Sequence, residues 1–146
     1  MKIPANSILN FILILIILAA QNGHAQNKTI SGMKSSELQY SDGNGNVWKI
    51  DSASIHYIPV KPNMSSSGIY SGGEEKTSKI EEREFLLILQ EFEGIFNNKS
   101  IHIRQRIMTS GYLSILERGK KEREVIFKSG KEKDKLEKLL KKFIGN

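Results

Sequence analysis

The chain has no cysteine. No disulfide can brace it, so packing alone must hold the fold, and the small disulfide-stapled scaffolds of secreted proteins are excluded. Thiol nucleophiles and thiolate metal sites are excluded with them. Histidine numbers three. One of these, His24, falls in the N-terminal leader, and neither His56 nor His102 has a second His, Asp or Cys at metal-ligand spacing. Both read as structural or surface groups. Asp42, Asp51 and Asp134 are the only aspartates. A serine nucleophile needs a base and an orienting carboxylate, such as Asp51 with His56 would supply. The glutamates at 81, 82, 84, 91 and 93 recur on a helix surface and read as solvation. These shortages argue for no enzyme, no cofactor and no metal.

Long apolar runs are also missing, except for the stretch from Ile8 to Ala20. Lys2 precedes it, and Gly23-His24-Ala25 follows with small residues at the −3 and −1 positions before Gln26. This layout predicts a signal peptide over residues 1–25, and the run is short for a membrane span. With no cysteine after it, lipoprotein processing is excluded. Residues 26–36 are polar and read as a leader, and residues 37–146 as a single domain with a modest core. The expected location is the periplasm or the medium, and the Ile- and Lys-rich composition resembles exported proteins of Gram-negative bacteria. Asp51-Ser52-Ala53 resembles a short acceptor motif for O-linked glycans, and Asn27, Asn63 and Asn98 begin N-linked sequons.

The formal net charge is +6, of which Lys2 contributes one. The surplus concentrates at the C-terminus, where residues 120–146 hold ten basic and five acidic side chains. Interleaved glutamates and the absence of aromatic stacking platforms argue for a solvated helix face rather than a nucleic-acid surface.

What the chain does contain is alternation. Leu38 and Tyr40, then Asp42-Gly-Asn-Gly-Asn46, then Val47 to Ile50 predict a hairpin. Asp42, Asn44 and Asn46 have the first three offsets of a calcium loop. The sixth position is Val47 and the twelfth Ala53, so the segment reads as turn chemistry. Ser54 to Val60 predicts a third strand, with Pro59 at its end or on an edge. Residues 74–80 read either as a short strand or, through a Ser78–Glu81 capping box, as a helix start. Phe85, Ile88, Leu89, Phe92, Ile95 and Phe96 share one face of a helix over 81–96, widened by Leu86 and Leu87. Ile101 to Glu117 predicts a long or bent strand with Gly111 as a bulge, turned by Arg118 to Lys121 and paired with 122–128. Ser129 and Glu132 have capping-box spacing. Leu136, Leu139, Leu140, Phe143 and Ile144 form the stripe of a second helix. The order ββ(β)-αββα is an α+β domain, a small antiparallel sheet of about four to six strands with two helices on one face.

The most unusual stretch is Ser65, Ser66, Ser67, Gly68, Ile69, Tyr70, Ser71, Gly72 and Gly73. A phosphate-cradling loop needs Lys-Ser/Thr after its last glycine and a helix behind it. Here Glu74 and Glu75 follow, so nucleotide binding is excluded. The glycines suit positive φ in a reversal between two strands. The reading is a turn that also offers a recognition loop, with Ile69 and Tyr70 expected to tuck onto the core.

From Ile55 to Ile144 the chain resembles the emfourin-type group, small bacterial inhibitors of thermolysin-like metalloproteases. The shared features are a strand leading into Ser71-Gly72-Gly73, a leucine-bearing helix, a hairpin and an amphipathic C-terminal helix. The group carries Arg before its Ser-Gly-Gly, where this chain has Tyr70, and the N-terminal hairpin is additional. The resemblance implies a protease inhibitor presenting residues 65–73. The residues themselves point to an exported, non-enzymatic binding domain whose partner is a protein or an envelope component.

Overall fold

The computed structural model describes residues 36–64, 68–69 and 71–145. The expected signal peptide, the polar leader up to residue 35 with the sequon at Asn27, Ser65 to Ser67 and Tyr70 lie outside the described residues. In chain order the elements are β1 (Ser36–Ser41), β2 (Val47–Ile50), β3 (Ser54–Ile58), β4 (Lys76–Lys79), α1 (Glu82–Asn97), β5 (His102–Ile103), β6 (Gly111–Glu117), β7 (Lys120–Phe127) and α2 (Lys131–Phe143). The domain is α+β. Its seven strands form one antiparallel sheet in the order β4-β3-β2-β1-β6-β7-β5, longer than the four to six expected.

Period-two alternation sorts the strands into two faces. Leu38 pairs with Ile50 and Ile115, Tyr40 with Trp48 and Leu113, and Trp48 with Tyr57. All are buried, and together they make one continuous apolar face. Both helices lie on it. Arg123, paired with Ile115 on that face, stacks 4.2 Å from the Phe96 ring and forms an ion pair with Glu93, both on α1. Tyr40 donates a hydrogen bond to Glu137 of α2. Phe85, Ile88, Leu89, Phe92, Ile95 and Phe96 are buried, as their spacing requires, while Leu87 is half exposed. In α2, Leu136 and Leu140 carry the buried stripe. Among the described residues no helix is long and apolar enough to cross a membrane.

The opposite face carries a polar row: Thr77, His56, Lys49, Gln39, Ser114 and Glu124 succeed one another in register across five of the strand pairs. Both sheet edges are blunted. β4 reads Lys-Thr-Ser-Lys and β5 has two residues, which limits edge-to-edge association.

Several sequence expectations are corrected. The segment 101–117 is not one bent strand. A 3-10 turn at Lys99–Ile101 leads to β5, and an irregular loop precedes β6. The irregularity in the β6–β7 ladder lies between Ile115 and Leu116 rather than at Gly111. Of the two readings of residues 74–80, the short strand is the one that forms, as β4 with Ser78 opposite Ile55, and the capping box of α1 pairs Glu81 with Glu84. No box forms at Ser129. Gly130 is the N-cap of α2, and Glu132 instead accepts from Asn98, tying the two helices together.

Candidate functional site

Three loops meet at one end of the sheet, held together by contacts to the β1–β2 turn. They are the β1–β2 turn at 42–46, the β3–β4 connection at 59–75 and the loop at 104–110. The first is built by Asp42. One carboxylate oxygen accepts from the backbone N–H groups of Asn44 and Asn46, and the other from Asn46 Nδ2. The carboxylate is thus spent on its own turn, the chemistry that Asp, Asn and Gly at these offsets favour. Asn46 Oδ1 accepts from Val60 N and so anchors the second loop. Arg106 donates to Ser41 Oγ at 2.7 Å and to the Asp42 carbonyl, which anchors the third.

At the base of the second loop, Gly72 N donates to Val60 O, and its carbonyl accepts from Tyr57 Oη at 2.6 Å. A Cβ on Gly72 would sit 2.0 Å from Asn46 Oδ1, so this position requires glycine for space, whereas Gly68 and Gly73 have positive φ. The expectation of a turn between two strands holds. The expectation that Ile69 tucks inward does not: Ile69 is 85% exposed, alongside Met64 at 75%. On the third loop Ile107 is 53% and Met108 74% exposed. The last register row of the open sheet face at this end adds Ile58, Val47, Tyr112, Ile126 and Ile103, all half-buried.

The other candidates are not assembled into chemistry. Asp51 accepts from Ala53 N, Ser54 N and Ser54 Oγ, closing the β2–β3 turn. His56 instead lies 2.7 Å from Glu75. His102 bonds the Ile95 carbonyl, a structural tie between β5 and α1. Among the described residues no three His, Cys, Asp or Glu side chains group as a metal site. The glutamates of α1 are more than solvation. Glu91 pairs with Lys135 and Glu93 with Arg123.

Sequence reading did not single out the polar cluster beneath these loops. Tyr40 Oη donates to Glu137 Oε1 at 2.6 Å, and Lys133 Nζ reaches the same oxygen at 2.7 Å. The side chains of Lys133 and Glu137 are only 13% and 18% exposed. Burial pushes the Tyr40 phenol far above its ordinary range, and the Glu137 carboxylate adds to this. Burial alone would raise Glu137, but the bonds from Lys133 and Tyr40 outweigh it and hold the carboxyl below its usual range. The one legible signal was the spacing of Lys133, Glu137 and Lys141, four residues apart on α2.

The two shifts predict pH-dependent contributions of opposite sign. The unfolded chain releases the Tyr40 proton near pH 10, whereas the folded chain keeps it. The stabilisation is therefore complete below that pH and is lost above it by about 1.4 kcal/mol per pH unit. For Glu137 the sign is opposite: its contribution is present above the ordinary carboxylate range and fades as pH falls through the depressed value. Chemical denaturation at several pH values should show Tyr40→Phe costing about 1–3 kcal/mol at pH 7 and removing this part of the alkaline slope. An unchanged slope above pH 10 would show that Tyr40 does not carry it.

Compared with known protein families, curated proteins and solved structures, the chain matches none.

Proposed function

We propose that the chain is an exported, non-enzymatic binding domain that engages a protein or envelope component through the loops at one end of its sheet. One observation carries this reading. Of the five large apolar side chains exposed among the described residues, Met64, Ile69, Ile107 and Met108 lie on two loops at one end; the fifth is Leu87. Such exposure is costly unless it is used, and the same two loops carry the exposed Lys61, Arg104 and Arg106. The bases of the loops are anchored by Asn46, Tyr57 and Arg106.

The test immobilises the chain without residues 1–25 and compares what it retains from envelope and medium with a variant carrying Ile69→Ser, Ile107→Ser and Met108→Ser. Loss of one retained partner with the variant is the expected result. Retention of the same set by both proteins would move recognition away from this end.

A second reading is a protease inhibitor presenting residues 65–73. It rests on the anchored base of that loop, where Gly72 is bonded to Val60 and Tyr57, below the exposed Ile69. Titration of a thermolysin-like metalloprotease separates the two. Stoichiometric loss of activity that Ile69→Ser relieves is inhibition.

A further inference from the structure

Cations and apolar side chains follow one order along both exposed loops. In the β3–β4 connection, Lys61 comes directly after Val60, which is tied to Asn46, and the exposed Met64 and Ile69 lie further along the loop. In the loop before β6, Arg104 directly follows β5, and Arg106 is drawn back onto Ser41 Oγ and the Asp42 carbonyl. The exposed Ile107 and Met108 come after them. We propose that this end of the domain docks on an anionic lipid bilayer, its four apolar side chains entering between headgroups while Lys61, Arg104 and Arg106 meet lipid phosphates. The proposal rests on the loop reading above and names its partner.

Charge selects an anionic surface. Residues 59–73 and 104–110 contain those three cations and no acidic residue. The acids that border them are largely committed elsewhere. Asp42 is buried with its carboxylate spent on its own turn, and Glu75 lies 2.7 Å from His56. Glu74, exposed where the second loop ends, offsets one of the three cations. The turns at the other end of the ladders mix the signs, with Asp51, Glu81 and Glu117 among Arg118 and Lys120, and expose no large apolar side chain.

Exposure selects a bilayer over a protein. Met64, Ile69 and Met108 are the most exposed large apolar side chains among the described residues. They project from two separate loops rather than forming a packed patch, whereas a protein interface needs a packed apolar centre with its charges at the margin. A bilayer parts around separate apolar tips and holds its phosphates above its hydrocarbon. That layering matches loops whose cations stay near the base and whose apolar residues lie beyond them. Because the cations are exposed, salt must weaken the attraction.

The experiment uses the chain without residues 1–25, since the apolar run from Ile8 to Ala20 would itself seek lipid, and residues 35–146 form a compact unit of their own. Sedimentation with sucrose-loaded vesicles compares phosphatidylcholine alone with a mixture holding about one-third phosphatidylglycerol, each at about 0.1 M and about 0.5 M NaCl. The expected result is binding to the anionic vesicles about tenfold tighter than to the neutral ones, and about tenfold weaker at the higher salt. Ile69→Ser with Ile107→Ser and Met108→Ser should weaken it about tenfold or more, and Lys61→Gln with Arg104→Gln should remove the preference for anionic lipid. Arg106 is left intact because it holds its loop. On the helices, Leu87→Ser, and separately Lys138→Gln with Lys142→Gln, should change binding less than about twofold. Equal urea midpoints establish that the variants are folded. The chain has no cysteine, so Met108→Cys carries a single polarity-sensitive dye, whose emission should shift to the blue on anionic vesicles while that on Leu87→Cys does not. The proposal is overturned if anionic vesicles are not bound, if neutral vesicles bind equally well, if the loop variants bind like the parent, or if the lysine changes on α2 cost as much as those on the loops. If vesicles fail while the envelope comparison still yields a protein lost with the triple serine variant, the loop reading stands and this partner falls. Failure of both experiments removes both.

Discussion

Phe127→Ala should cost about 3–5 kcal/mol, the upper range for a buried aromatic and a large share of the stability of a domain this size. Phe127 closes β7, is fully buried, and stands 6.3 Å from the Tyr40 ring. Its ring also fills the space beside Gly111, where a Cβ would come within 2.4 Å of Phe127 Cζ. The cavity left by alanine would open between β1, β6 and β7, where paired strands leave little room to collapse. Urea denaturation should show a lower midpoint at unchanged slope. The packing can be tested from the other side. Gly111→Ala alone should destabilise by about 1–3 kcal/mol through overpacking. In a Phe127→Leu background the added methyl has space, so the two costs should be less than additive. Simple additivity would mean that the two positions do not share that space.

Gly43→Ala should be the most damaging change on the surface, at about 1–3 kcal/mol or more. A Cβ there would fall 1.4 Å from the Met108 carbonyl oxygen and 2.3 Å from its carbon. Both are backbone atoms, so no rotamer change relieves the clash and the loop must withdraw. Withdrawal takes Arg106 away from Ser41 and from the Asp42 carbonyl. Besides the loss of stability, trypsin should cut faster after Arg104 and Arg106, and any partner that depends on Ile107 and Met108 should bind less tightly. Gly94→Ala is the matched control. Its Cβ meets open space on α1, so removing a helical glycine should stabilise by about 0.5–1 kcal/mol. Unchanged cleavage in Gly43→Ala would show that the turn and the loop are not in contact.

The parts of this molecule with a strong local signal were legible from sequence. The six apolar positions of α1 recur every three or four residues and are all buried. Asp42 with its asparagines closes a turn because those side chains bond their own backbone wherever they occur. The misread parts lack such a signal. β4 stays open between strand and helix start in the sequence because it has no apolar alternation, and an edge strand with two lysines needs none. The loop before β6 contains Ile107 and Met108, which read as strand, yet its shape is dictated by Arg106 reaching Asp42 and by Met108 lying against Gly43. Those contacts join residues more than sixty positions apart. Ile69 was expected inside because apolar residues usually are, but nothing in the sequence marked its loop as lying outside the core. The polar cluster beneath the loops was invisible for the same reason. The α2 row Lys133, Glu137 and Lys141 looks like any solvated helix face until Tyr40, distant in sequence, is placed beneath it.

The placement of β1 has a consequence for how the chain must fold. This strand comes first in the domain but lies in the middle of the finished sheet, between β2 and β6. The meander β1 to β4 and the hairpin of β6 with β7 can each form from near neighbours, while the seam between β1 and β6 joins residues as remote as Leu38 and Ile115. Closing that seam requires α1 to have crossed from one sheet edge towards the other, so the slowest step should be the docking of two preformed halves. Until then the inner edge of β1 is an unpaired strand bearing Leu38 and Tyr40, a surface open to misassembly. The lysines of β4 protect the completed sheet but not that transient edge, so the window for misassembly lies before the halves meet.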